Sequence, residues 1–503
     1  MGYKSEKSRL IRPFAGKRPG RYPDTRSVDI PLSFQVYNSF SKKKETFEPI
    51  SEGVVRMYNC GPTVYSRVHI GNWRAFLFAD LLRRWLEHEG YEVRQVMNVT
   101  DVGHLTDEVA DEGEDKIEAQ ARREGVDPWK IAESYTQQFL DDGQTLGCKE
   151  AMIYPRASDH IPQMVEMIQK LEEKGHAYRA GENVYFDVKS FEAYGSLSGN
   201  RVDELDAGAR IQVNEEKRHP ADFALWKSDE RHLMKWETVF GPNGFPGWHI
   251  ECSAMARAHL GDQIDIHTGG EDNIFPHHEC EIAQSECFTG ERFATYWMHT
   301  KFLQIDGGKM SKSLGNVWNV DDVLERGYES RALRFALLRG HYRQPLNFTW
   351  DILAESARAL EGLDDLVNRL KRLTDASDAG AELVATAAAA FSEAMNDDLN
   401  VPKALAALFV LRSDVLEGAV KGESAEAALA LLGRADGVLG VLKAEEGADG
   451  AEDDAVINAL VAARQAARET KDWAAADKAR DELNARGVVV EDTSDGGTAW
   501  FRK

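Results

Sequence analysis

The stretch GVVRMYNCGPTVYSRVHIGNWRAFLFADLLRRWLEHEGYEVRQVMNVT, Gly53 to Thr100, decides how the fold is read. GVVRMYNC is an apolar-rich run that reads as a buried strand ending at Cys60. After the turn GPTVYSRV, the residues Ile70, Trp73, Leu77, Leu81 and Trp85 recur at helical spacing, and Gly90 closes the helix. YEVRQVMNVT is then a second strand. Strand, helix and strand in this compass form a βαβ unit. The fold class that follows is α/β, a doubly wound, Rossmann-type parallel sheet with its ligand site at the C-terminal ends of the strands.

Two later pieces extend this reading. QIDIHTGG is strand-like and leads through Gly269 and Gly270 into a helix, and FLQI is a third such piece, ending in the turn DGGKMSKSLGN. The expected organisation is a basic, mobile extension over 1–30 and a catalytic domain over 31–320 with an insertion at about 140–245. A connecting segment over 321–345 leads to an Ala-rich helical bundle over 346–442. An acidic linker at 443–454 then precedes a small C-terminal α+β unit over 455–503.

A chain of 503 residues exceeds one compact core, and no run is long or apolar enough to span a bilayer. Cys60, Cys148, Cys252, Cys280 and Cys287 are an odd, scattered set, which argues for reduced thiols and a cytoplasmic location. A net charge of −23 excludes an unselective nucleic-acid binder, although a shaped RNA partner met through local basic patches is compatible with it.

Chemistry concentrates in three places. VHIGN, Val68 to Asn72, stands where the first strand passes into the helix; His69 and Asn72 offer donors to phosphate oxygens, and Gly71 permits close approach of a nucleotide. KMSKS, Lys309 to Ser313, gathers two ammonium groups and two hydroxyls in a Gly-flanked loop able to close on a polyphosphate. FPHHECEIAQSECF, Phe275 to Phe288, would place His277, Cys280 and Glu281 on one helical face. Alone, that face is most simply a solvated polar surface.

VHIGN and KMSKS, in this order and each following a strand, resemble the paired signature of class I aminoacyl-tRNA synthetases. YNCGPTVY, GWHIECSAMA, DIHTGGEDNIFPHHE, PADFALWK and KMSKSLGN resemble the corresponding stretches of the cysteinyl-tRNA synthetase family, from about residue 32 to the C-terminus. The resemblance implies activation of L-cysteine by ATP, with Mg2+, and transfer to the 3′ end of tRNA(Cys). It implies one Zn2+ held by Cys60, Cys252, His277 and Glu281, a donor set whose softness suits that ion. It also implies nucleotide contacts from His69, Gly71, Asn72, Gly269, Lys309 and Lys312, with His69, Asn72, Lys309 and Lys312 serving catalysis. Thr100 and Trp248 would contact cysteine, and Arg468, Asp477 and Asp492 the anticodon. A monomer is expected, with a dimer as the alternative.

Departures from the family pattern are the long acidic VGHLTDEVADEGEDKIEA after Asp101, the altered approach FGPNGFPGWHIEC, and Cys280 where Asn is common. A related enzyme joining cysteine to an amino sugar would not need the helical and C-terminal units. A non-catalytic RNA-binding paralogue would not need both nucleotide motifs.

Overall fold

The computed structural model of the chain describes residues 33–102, 105–107, 112–201, 216–310, 315–374, 376–443, 449–492 and 498–502. The basic extension, residues 103–104 and 108–111 of the acidic stretch after Asp101, and Lys312 lie outside the described residues.

Four parallel strands form the central sheet: β1 (Val54–Asn59), β2 (Glu92–Met97), β3 (Ile264–Gly270) and β4 (Ala294–Thr300), in the order β4-β3-β1-β2. Met57 lies opposite Ile266, and Tyr58 is flanked by Val96 and His267. Because the chain places β2 on one side of β1 and β3 on the other, the order reverses between β1 and β3. A crevice opens at such a point, beyond the strand C-termini. Asn59 and Gly270, the last residues of these two strands, deliver Cys60 and the turn after Gly270 to that edge.

Helix α1 (Ile70–His88) covers one face. It starts because His69 is extended and its ring accepts from the Asn72 amide at 3.3 Å, and its buried stripe runs through Trp73, Leu77, Leu81 and Trp85. Val55, Met57, Ile266 and Met298 meet this face. Tyr58, Val96 and Trp297 point to the other, where they pack with helix α2 (Trp248–Leu260). Each large apolar side chain so buried contributes roughly 1.5–3 kcal/mol. Both faces being covered explains why β4, ATYWMHT, has no apolar/polar alternation and escapes a periodicity reading. FLQI contributes Leu303–Ile305 to a separate three-stranded sheet with Gly308–Lys309 and Leu346–Phe348.

Between β2 and α2 lies a five-stranded antiparallel sheet built from Ala177–Ala180, Asn183–Phe186, Phe223–Ser228, Trp236–Thr238 and Gly241–Pro246. Gly244 is required there, since a Cβ would fall 1.9 Å from the Trp226 indole nitrogen. Long helices follow at Trp350–Leu373, Ala381–Asn396, Val401–Leu416 and Glu423–Leu439. The last two helices, Asp449–Glu469 and Trp473–Ala485, precede a hairpin of Val488–Asp492 and Thr498–Arg502.

One buried ion cluster joins α1 to the helical part. Arg334, wholly buried, donates to Asp80 Oδ2 at 2.5 Å, to the Leu439 carbonyl at 2.6 Å and to the Leu146 carbonyl at 3.2 Å. Arg84 reaches the same carboxylate oxygen at 2.7 Å, and the Lys149 amide donates to Oδ1 at 2.7 Å. Burial pushes the Asp80 carboxyl up, but Arg334 and Arg84 outweigh it and hold it below its ordinary value. A carboxyl lowered on folding contributes stability that is complete above its unfolded pKa, about 3.9, and is lost as pH falls through its folded value. Asp80→Asn leaves the Arg334 cation buried without a counter-charge, so it is expected to cost about 3–5 kcal/mol. Thermal or urea unfolding checks this; adding Arg334→Met to Asp80→Asn should recover part of the loss, and an unchanged midpoint in Asp80→Asn would contradict the assignment.

Candidate metal centre and nucleotide motifs

Beyond the C-termini of β1 and β3, four side chains from distant parts of the chain converge. The sulfurs of Cys60 and Cys252, a ring nitrogen of His277 and a carboxylate oxygen of Glu281 all lie within 4.8 Å of one another and could hold a metal ion. Cys60 follows β1, and Cys252 comes from the second turn of α2. His277 lies in the irregular turn Ile274–His278, and Glu281 in the first turn of α3 (Glu279–Thr289). His277 Nε2 is 3.1 Å from Glu281 Oε1. Cys252, His277 and Glu281 are buried, while Cys60 is half-buried and marks the accessible side.

The electrostatics favour a cation. Burial raises the Cys252 thiol, but the hydrogen bond from Cys60 and the His277 ring more than offset this and hold it at about 6. Burial likewise raises Glu281, and His267 and His277 bring its carboxyl down to about 2. His277 moves the other way, since burial lowers it and the Cys252 sulfur and Glu281 lift it to about 10. Cys252 and Glu281 are thus both drawn toward their anionic forms and His277 toward its cation, and a divalent ion could take the place of that positive charge.

Further histidines surround the four. His267 Nε2 meets Glu281 Oε2 at 2.9 Å, which fixes the carboxylate and leaves Oε1 turned toward His277 and Cys60. His278 Nε2 lies 3.2 Å from the Cys60 sulfur, and its Nδ1 lies 2.8 Å from His299 Nε2, which in turn lies against Ser39. Cys60, His267, His278 and Glu281 form a second group able to hold an ion. The first group has two sulfurs, one nitrogen and one oxygen, the softer donor set of the two. Gly269 makes room for this web, because a Cβ there would lie 2.8 Å from the His278 ring.

Cys280 is absent from both groups. Its buried sulfur lies 3.4 Å from the Tyr194 hydroxyl, on the side of the insertion. Its neighbour Glu279 accepts from the Ser198 amide at 2.8 Å, so both side chains anchor the segment 194–198 to α3.

Trp248 is half-buried and stacks on the His277 ring at 4.3 Å. Thr100 is buried, and its hydroxyl donates to Glu251 Oε2 at 2.8 Å. Glu251 escapes the reading of the sequence; its spacing of three residues from Trp248 is the signal that could have found it. His249 and His299 carry no comparable signal.

The first nucleotide motif caps α1, with His69 half-buried and Asn72 exposed. A Cβ on Gly71 would sit 3.0 Å from His69 Nδ1 and 3.2 Å from the Met310 methyl group, so the two motifs meet at this glycine. The Ile70 amide donates to the Trp318 carbonyl at 2.8 Å, and Arg67 bonds Asp142 at 2.6 Å and also Asp321. These contacts tie the stretch after KMSKS to the start of α1. The Lys309 backbone forms the short strand Gly308–Lys309, while Lys312 lies outside the described residues. In the C-terminal part, Arg468 and Asp477 sit on the two helices, Asp477 exposed and paired with Arg480 at 3.1 Å, and Asp492 ends the first strand of the hairpin.

Comparison with known proteins adds sequence evidence. Residues 46–358 match the profile described as tRNA synthetases class I (C) catalytic domain, 390–443 the DALR domain, and 452–500 the cysteinyl-tRNA ligase anticodon binding domain. A cysteine–tRNA ligase of Chlorobaculum tepidum is 43% identical over 493 residues, covering 94% of this chain and 99% of the relative. One from Thermus thermophilus is 46% identical over 479 residues, covering 92% and 98%. A Mycobacterium tuberculosis methionyl-tRNA synthetase, solved with methionyl-adenylate, shares the fold with a TM-score of 0.56 at 15% identity, covering 76% of this chain and 89% of the other. Identity at this level, sustained across nearly the whole of each cysteine–tRNA ligase, places the chain in the cysteine–tRNA ligase family.

Proposed function

We propose that the chain activates L-cysteine with ATP and transfers it to the 3′ end of tRNA(Cys), selecting cysteine through Zn2+ held by Cys60, Cys252, His277 and Glu281. The observation that carries this reading is the convergence of those four donors at the sheet's switch point, where β1 ends just before Cys60 and the chain runs on to the helix start bearing the first nucleotide motif. Bound there, Zn2+ supplies a soft Lewis acid that prefers the thiolate of cysteine to the hydroxyl of serine. Packing alone separates such near-isosteres by about 10²-fold, whereas ~10⁴ to 10⁵ requires roughly 5.5–7 kcal/mol.

The protein's own groups do the rest by positioning and charge. Trp248, stacked on His277, forms a wall of the amino-acid pocket, and Thr100 faces the substrate across it. The cysteine carboxylate attacks the α-phosphate of ATP; the bond to the bridging oxygen breaks, and pyrophosphate leaves, its charge being one that Mg2+ bound to ATP would offset. His69 and Asn72 hold phosphate oxygens at the positive end of α1, with Gly71 allowing the approach and Gly269 lining the nucleotide side. Lys309 and Lys312 neutralise charge on the departing pyrophosphate. A terminal ribose hydroxyl then attacks the acyl carbon and releases AMP. The helical bundle and terminal unit hold the tRNA, with Arg468, Asp477 and Asp492 at the anticodon, and a monomer suffices for both steps.

Purified protein is expected to contain one zinc per chain, to catalyse cysteine-dependent exchange of pyrophosphate into ATP, and to charge transcribed tRNA(Cys). Exchange without charging would point to a different acceptor, and full activity without stoichiometric zinc would overturn the metal assignment. Stripping the metal with a chelator should abolish cysteine-dependent exchange, with recovery on adding Zn2+.

The two neighbouring candidates on α3 separate cleanly by metal analysis. Cys280→Asn is expected to retain zinc and charging, because its sulfur faces Tyr194. Cys252→Ala and Glu281→Gln are expected to lower metal affinity by at least about tenfold. Loss of zinc from Cys280→Asn equal to that from Cys252→Ala would show that α3 donates a thiolate instead.

A further inference from the structure

Glu251 follows Trp248 by three residues, so α2 turns it toward the same side as the indole. Its side chain is wholly buried. Oε2 accepts the Thr100 hydroxyl, while Oε1 has no hydrogen-bond partner among the described residues. A buried acceptor left open in this way is uncommon in folded proteins and asks for an explanation.

The hydrogen bonds running to its other oxygen fix the direction of the Thr100 contact. A threonine hydroxyl has one proton and two lone pairs. Asn98 Nδ2 donates to Thr100 Oγ1 at 3.2 Å, occupying one lone pair, and the proton goes to Glu251. Asn98 cannot readily reverse its amide, because its Oδ1 already accepts from the Gly61 amide at 2.8 Å, next to Cys60. The chain Gly61, Asn98, Thr100, Glu251 therefore runs in one donor direction and leaves Thr100 a single acceptor site. No other residue donates to Oε2 among the described residues; burial and the Cys252 sulfur raise this carboxyl, and a proton carried on the open Oε1 leaves Oε2 an acceptor for Thr100.

We infer that Glu251 is a positioning residue for the α-ammonium of the substrate: by holding the Thr100 hydroxyl proton it makes Thr100 present a lone pair, which only a donor-bearing group can meet. The inference rests on the reading of Thr100 as a substrate contact. It adds a second selection beside the one for sulfur. The metal site distinguishes the side chain, and the Glu251–Thr100 pair distinguishes an amino acid from a thiol acid lacking the amine.

The test uses full-length, zinc-loaded enzyme and cysteine-dependent pyrophosphate exchange, with cysteamine and 3-mercaptopropionate as competing inhibitors. Cysteamine keeps the thiol and ammonium, whereas 3-mercaptopropionate keeps the thiol and carboxylate. Glu251→Met is expected to raise KM for cysteine and Ki for cysteamine by about tenfold or more, with little change in Ki for 3-mercaptopropionate or in zinc content. Glu251→Gln should restore both to within about threefold, since an amide oxygen can take the same proton. Thr100→Val should reproduce the Glu251→Met pattern and Thr100→Ser should not, which keeps the test open if Glu251→Met folds poorly.

Equal weakening of all three ligands, loss of zinc, or a wild-type KM in both Glu251→Met and Thr100→Val would overturn the inference. If the unmodified enzyme shows no cysteine-dependent exchange, the proposed function falls first. If it is active and the variants show no selective loss, only the role of Glu251 falls.

Discussion

A carboxylate with no access to water is the constraint around which the centre of this protein is arranged. Glu281 is wholly buried and held ionised, and an ion so placed persists only when its surroundings answer its charge and fill its lone pairs. His267 takes one oxygen and His277 the other. Each of those histidines is itself fixed, His267 by stacking on Trp297 at 4.5 Å and His277 by stacking on Trp248. The demand therefore passes outward through β3, β4 and α2, and the crevice between β1 and β3 is where these elements can meet.

The β1–α1–β2 unit is readable from the chain alone because its signals are local. The stripe Ile70, Trp73, Leu77, Leu81, Trp85 has one helical face, and the strands flank it with turns between. Sheet order is a different matter. Nothing local states that β3 inserts beside β1 on the side away from β2, and β4 is masked by being buried on both faces. The candidate metal site is legible in the sequence only through family resemblance, because Cys60 and Cys252 are distant in the chain from α3 and spacing alone cannot join them.

Spacing also misjudges one neighbour. His277, Cys280 and Glu281 at i, i+3 and i+4 share a face only if one regular helix carries them. Instead, Phe275 is extended, with φ −140° and ψ 132°, the turn 274–278 is wider than an α-helix, and the regular helix begins at Glu279. His277 and Glu281 still meet across this junction, whereas Cys280 faces the insertion. The wider turn thus converts a three-residue face into a pair of candidate ligands and a separate anchor. Tyr194 and the amide of Ser198 then use that anchor to dock the insertion on α3.

The same economy of contacts links the nucleotide side to the rest of the molecule. Gly71 is tight against both His69 and Met310, so the first motif and the KMSKS stretch share one surface. Arg67 joins the loop before α1 to Asp142 at the end of helix Pro128–Thr145 and to Asp321 beyond KMSKS. Farther along α1, Asp80 binds Arg334 and with it the carbonyls of Leu146 and Leu439. Helix α1 is therefore braced at its start by the nucleotide loop and along its length by the helical part. A displacement of the helical part would load α1 through a buried ion pair, an interaction that loses much of its energy when its partners separate. Position along α1 then matters more than distance in sequence: the VHIGN motif and the residues that grip the helical part are fixed to one rigid rod.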